Sequence, residues 1–167
     1  MNVSSMNPAS MARSVLLLTL GFGMLHCTDL NAGELGLSIR LPHGQDVMRS
    51  GDEMVVVKFS NTGKEDVRIL KSFRPFVVFF LFSIVAADGT PVNVRGGGKV
   101  SFREDSMKYL DLGCGEFFGL SVSLTDLLQI PLKTGVYSLS VTYSNQYGNG
   151  CFKGRIKSNV LQLRVKE

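Results

Sequence analysis

Hydrophobic residues recur at every second position along much of this chain. Leu35, Leu37, Ile39 and Leu41 alternate with Gly36, Ser38 and Arg40, the period-two signature of a strand with one buried face. Tyr137, Leu139, Val141 and Tyr143 repeat it against Ser138, Ser140 and Thr142. Val160, Leu161, Leu163 and Val165 do so against Gln162, Arg164 and Lys166. Residues 54–59 form a β-branched run closed by the turn Asn61-Thr62-Gly63, and 67–70, 109–112 and 117–124 read as further extended segments. Residues 76–87 are almost wholly apolar, broken only by Ser83. That run is too short for a membrane helix, which needs roughly 20 residues, and its Phe and Val content predicts a central strand with a bend midway. Asp88-Gly89 turns it into a short strand at 92–94, and residues 125–128 give the one predicted helical turn. Short strands without amphipathic helices predict an all-β, antiparallel sandwich or barrel of about 7–9 strands.

The first thirty-odd residues read as addressing rather than fold. Arg13 precedes an apolar run over 15–25, within the roughly 7–15 residues of a secretory hydrophobic region and short of the roughly 20 that span a bilayer. Met11 is a second candidate start, and Leu30-Asn31-Ala32 is an acceptable cleavage site. The expectation is a signal peptide over 1–32, a domain over 33–167 and a periplasmic or secreted location. Cys27 follows the apolar run and offers lipidation as an alternative, although His26 stands where a small residue is usual. Membrane association is expected only through a lipid on Cys27 or a retained signal.

Composition narrows the chemistry. Hydrophobic residues make up 44% and charged residues 19%, a globular balance. Residues 1–32 carry one basic and one acidic residue, so the net charge of +4 belongs to the remainder. This is a mild excess without the dense basic patch of a nucleic-acid binder. Lys153, Arg155 and Lys157 are spaced by two, which places them on one side of an extended strand. They read either as a solvated face or protected sheet edge, or as a site for an anionic ligand such as a polysaccharide or lipid headgroup. With Tyr143, Tyr147 and Phe152 they form an aromatic and basic mixture suited to a polymer or protein surface. The alternative is a glycine-rich hairpin stapled by Cys151.

The segment Leu132-Lys133-Thr134-Gly135-Val136-Tyr137 places a tyrosine two residues after a glycine at the start of an alternating strand. It resembles the tyrosine corner of immunoglobulin-like sandwiches, whose phenol bonds back to upstream backbone. In order along the chain come Asn61-Thr62-Gly63, Ala87-Asp88-Gly89, Leu112-Gly113-Cys114-Gly115-Glu116 and Gly135-Val136-Tyr137. Over about residues 53–145 that order is similar to the small bacterial immunoglobulin-like domains that include the BsuPI-type proteinase inhibitors. The resemblance implies an immunoglobulin-like fold and, more remotely, inhibition through an exposed loop. The chain departs from the inhibitors in its export signal and at Cys114, where they usually carry proline.

Catalytic sets are not assembled in the sequence. After residue 32, His43 is the only histidine, and its neighbours Pro42 and Gly44 mark a turn. Gly119-Leu120-Ser121-Val122-Ser123 fails the last position of a nucleophile elbow. Arg95-Gly96-Gly97-Gly98-Lys99 lacks both the upstream Gly and the following Ser or Thr of a phosphate loop. Two cysteines and one histidine fall one ligand short of a closed zinc site. No EF-hand spacing organises Asp52-Glu53, Glu104-Asp105 or Asp111 for calcium. No cofactor or metal is expected. In an exported chain the remaining Cys114 and Cys151 are expected to pair as a disulfide. The resulting expectation is a non-catalytic module that binds a protein or polysaccharide partner through its loops, among them 95–99, or a sheet edge. The alternatives are the proteinase inhibitor and a small secreted hydrolase using His43 or a carboxylate pair.

Overall fold

In the computed structural model, which describes residues 35–42, 47–49, 54–71, 73, 76–94 and 107–167, the alternating segments pair into several, mostly antiparallel, sheets. The strands are β1 (Leu35–Arg40), β2 (Val47–Arg49), β3 (Met54–Asn61), β4 (Val67–Leu70), β5 (Phe80–Ala86), β6 (Tyr109–Leu112), β7 (Phe117–Ser123), β8 (Gly135–Asn145), β9 (Gly154–Lys157) and β10 (Leu161–Lys166), with one helical turn, α1 (Phe76–Phe79). One sheet runs β1-β3-β7. A second runs β2-β10-β8-β5, with β9 also on β8, and β4 pairs with β6. Only the β2–β10 pair is parallel among these strands. The expected signal at 1–32, Cys27, His43, the 95–99 loop, Asp52-Glu53 and Glu104-Asp105 lie outside the described residues.

The two larger sheets share one core. Val55, Val57 and Phe59 of β3 are buried, as are Leu139, Val141 and Tyr143 of β8, Phe80, Phe82 and Ile84 of β5, and Leu163 and Val165 of β10. The Phe59 and Tyr143 rings meet edge to face at 5.0 Å across the sheets. Phe73 stacks on Phe59 at 5.8 Å and meets Phe80 edge-on at 5.1 Å. Contacts of this geometry contribute about 0.5–1.5 kcal/mol each beyond the area they bury.

Three expectations need correction. Residues 76–79 are helical rather than extended, and the strand begins at Phe80. In a continued strand, Phe79 and Phe80 would point to opposite faces; the helical turn buries both, and Phe76 stacks on Phe80 at 4.2 Å. The strand that follows is terminal, not central, in the order of its sheet. Beyond the Asp88-Gly89 turn the chain returns only as far as an isolated bridge between Val85 and Pro91, and a proline has no N–H with which to extend a ladder. The strand expected at 92–94 is accordingly reduced to that bridge and one between Val94 and Leu128.

Polar side chains stitch the sheets where ladders stop. Buried Asn61 donates from Nδ2 to the Leu112 and Glu65 carbonyls, at 2.8 and 2.7 Å, and accepts from the Gly63 N–H at 2.9 Å. Its backbone pairs with Gly115 and Glu116, so one residue ties β3 to β6 and to the turn before β7. Gly115 adopts φ +77° there, a conformation that favours glycine. Asn145 holds the 147–152 loop in the same way, donating to the Phe152 and Tyr147 carbonyls at 2.7 and 3.1 Å. Between β9 and β10, the Ser158 hydroxyl accepts from the Val141 N–H at 2.9 Å, and Asn159 exchanges two hydrogen bonds with the Ile39 backbone. That contact joins the kinked edge to β1 of the opposite sheet.

Two tyrosines on β8 differ in their hydroxyls. Tyr137 donates to the Lys133 carbonyl at 3.0 Å. The Tyr143 hydroxyl is buried without a hydrogen-bond partner among the described residues, and burial raises its phenol above the ordinary range.

Removing the Asn61 side chain as Asn61→Ala is expected to lower unfolding free energy by roughly 2–3 kcal/mol, because each buried hydrogen bond contributes about 1 kcal/mol. Urea titration checks this, and a loss below about 0.5 kcal/mol would contradict the stitching role. Tyr137→Phe should cost about 1 kcal/mol, whereas Tyr143→Phe should be neutral or stabilising at neutral pH. Above about pH 10 an unfolded phenol ionises while buried Tyr143 stays protonated. The native state then binds the extra proton, so wild-type stability falls with rising pH by up to about 1.4 kcal/mol per pH unit from this group. Tyr143→Phe removes that part of the decline; identical alkaline profiles would overturn it.

Candidate functional site

Burying one side of β8 turns its other side out to solvent. The outward residues are Val136, Ser138, Ser140, Thr142 and Ser144, four of them hydroxyl-bearing. Register extends this stripe into rows across the sheet: Leu81, Thr142 and Lys157 stand side by side on β5, β8 and β9. Ser144 faces Arg155, Ser138 faces Gln162, and Val136 faces Arg164. The outward positions of β5, β8, β9 and β10 therefore carry Arg155, Lys157, Arg164 and Lys166, all exposed, and no carboxylate.

Lys153 joins them at one end. With Ser144, Gln146 and Arg155 it lines a shallow groove of about 490 Å³. Arg155 and Ser144 also line an adjoining hollow of about 250 Å³, whose opposite wall is Val77, Val78 and Leu81 of α1 and β5. Arg155 thus stands between a polar groove and an apolar lip. Leu81 is 71% exposed, more than Val136 at 44%, the other exposed large hydrophobic residue described on these strands.

Among the described residues, the charge on this face has no ion-pair partner. Elsewhere, Arg68 on β4 and Asp111 on β6 form a bidentate pair at 2.7 and 3.0 Å, and hydrogen bonding to the guanidinium holds the Asp111 carboxyl below the usual carboxylate range. Lys58 lies over the exposed Phe117 ring at 4.2 Å. The cations at 153, 155, 157, 164 and 166 have no such partner among the described residues. Like charges held on one sheet face repel one another, and a polyanion relieves that repulsion while gaining direct contacts.

The candidate surface of Tyr147, Phe152, Lys153, Arg155 and Lys157 divides between the two sides of the sheet. Lys153, Arg155 and Lys157 are exposed. Phe152 is not a surface residue: it is 3% exposed and stacks on Tyr143 at 6.1 Å. Tyr147 is half-buried and meets Phe79 edge-on at 6.3 Å. The period-two rule that groups the cations turns the alternate residues inward, so parity alone signalled the burial of Phe152. Arg164, Lys166 and Leu81 were absent from the expected surface because they lie on other strands; register across β5, β8, β9 and β10 brings them in.

Cys114 and Cys151, the expected disulfide partners, are not joined in the structure. Cys114 is exposed and Cys151 is partly buried, both as free thiols. Cys114 sits in the turn after β6. Cys151 lies by Tyr109 at the start of β6, where a Cβ on Gly148 (φ +81°) would come within 3.0 Å of its sulfur and 2.8 Å of the Tyr109 hydroxyl. The Cys151 thiol instead donates to the Tyr147 carbonyl at 3.3 Å, and burial raises it above the ordinary thiol range.

Among the described residues, no three His, Cys, Asp or Glu side chains gather where they would hold a metal ion. Ser121 lies within β7. No protein-family model matches the chain, and no curated protein is similar to it.

Thiol titration checks the cysteine geometry. The native full chain carrying Cys27→Ser is expected to show one fast thiol, Cys114, and one slow thiol, Cys151, with both titrating after denaturation without reductant. The fast phase should vanish in Cys114→Ser. Absence of thiols from the denatured, unreduced protein would restore the disulfide.

Proposed function

We propose that the chain is an exported, non-catalytic binding module, with a signal at 1–32 and an immunoglobulin-like β-sandwich over 33–167, and that it captures an anionic ligand on the outward face of β8, β9 and β10. The observation that carries this reading is the set of exposed cations at 153, 155, 157, 164 and 166, gathered along the outward positions of one sheet without a carboxylate among them. The sandwich reading draws support from the two sheets packed through Phe59 and Tyr143 and from the Tyr137 hydroxyl bonded to Lys133. Binding through a face fits the strands' division of labour. Inward positions hold the core, and outward ones are free to carry hydroxyls and charge.

The recognition chemistry is charge plus hydrogen bonding. Arg155 offers a planar fork of donors to a carboxylate, sulfate or phosphate. Lys153 and Lys157 supply point charges on either side, and the β8 hydroxyls supply neutral donors and acceptors at the spacing of a strand, about 6.6 Å between alternate residues.

Retention on immobilised dextran sulfate tests the proposal. The double reversal R155E/K157E should weaken binding at least about tenfold, a change of about 1.4 kcal/mol. The reversal K64E/K108E, with the same change in net charge at two exposed lysines elsewhere, should have a much smaller effect. Equal losses would mean that net charge, and not this face, does the binding.

A further inference from the structure

Resting on that reading, we infer that the anionic ligand is a lipid surface, and that the sheet face docks on it with Leu81 inserted beside Arg155 and Lys157. Charge complementarity is the first ground: the exposed cations of this face meet no carboxylate on the strands that carry them. A sheet face presents such charges to a plane of headgroups simultaneously, which a single small anion cannot exploit. The second ground is the apolar lip. Leu81 projects from the same face, in one row with Thr142 and Lys157, and Val77 and Val78 extend the lip across the hollow from Arg155.

A soluble polyanion offers nothing to a protruding leucine, whereas the acyl boundary beneath a layer of headgroups does. Apolar side chains that enter this boundary next to cations that bind headgroups are the usual elements of peripheral attachment. The outward positions of the sheet carry no aromatic ring on which a sugar would stack. This attachment belongs to the folded strands. It is independent of a lipid on Cys27 or a retained signal.

The test is co-sedimentation of the full chain with phosphatidylcholine vesicles, with and without phosphatidylglycerol, alongside the dextran sulfate assay. The chain should sediment better with the phosphatidylglycerol vesicles, and high salt should abolish the difference. R155E/K157E should lower partition into the anionic vesicles by roughly thirtyfold or more. Leu81→Ser should lower it roughly tenfold while leaving dextran sulfate retention unchanged. Because Leu81 is exposed, its replacement leaves the core intact, and an unchanged melting temperature verifies this. Wild-type retention on dextran sulfate without vesicle binding overturns the lipid inference and leaves the proposed function standing. Failure on both supports overturns both, and full vesicle binding by Leu81→Ser overturns the inserted lip.

Discussion

The edge-to-face contact of Phe59 with Tyr143 at 5.0 Å is the constraint on which this structure turns. It joins the central strand of one sheet to the longest strand of the other. Once Tyr143 points inward, the pleat of β8 leaves no freedom: Tyr137, Leu139 and Val141 follow it into the core, and Ser138, Ser140, Thr142 and Ser144 go outward. The same parity passes through the ladders to β5, β9 and β10. The basic face is therefore the other side of the core, produced by the packing that stabilises the molecule.

That packing carries a local cost. Tyr143 brings a hydroxyl into the aromatic cluster with no partner among the described residues, where phenylalanine would fill nearly the same space. The other buried polar side chains among the described residues are satisfied. Asn61 and Asn145 each spend their amides on backbone carbonyls that no strand would otherwise reach. Ser158 and Asn159 replace missing ladder bonds where the edge kinks between β9 and β10. These side chains behave as short pieces of backbone, bridging places where the sheets change partner.

The two halves of the 143–155 segment show why surface readings from sequence are partial. Its aromatic and basic residues are interleaved in the chain, which suggests one mixed surface. The strand sends them to opposite sides: Phe152 packs on Tyr143, and Arg155 and Lys157 face solvent. A face assembled this way combines residues from β5, β8, β9 and β10, and its chemistry of cation, hydroxyl and exposed leucine is visible only after the strands are laid in register.

The chain by itself determined the all-β character, the placement of β1, β8 and β10 from their two-residue repeat and of β3, β4, β6 and β7 from short β-prone runs, and the common side of Arg155 and Lys157, because repeat and residue preference are local properties of extended chain. The resemblance of Gly135-Val136-Tyr137 to a tyrosine corner also singled out the tyrosine whose hydroxyl bonds to Lys133. Only the tertiary structure decided that residues 76–79 coil into a helical turn, since that turn lets Phe79 meet Tyr147 and Phe80 meet Phe59 and Tyr143, rings from distant segments. Only it showed that Cys151 is partly buried with its thiol on the Tyr147 carbonyl while Cys114 is exposed, because burial depends on segments packed from elsewhere in the chain. It alone placed Arg164, Lys166 and Leu81 beside Arg155, since hydrogen-bond register between strands has no local signature in any one of them.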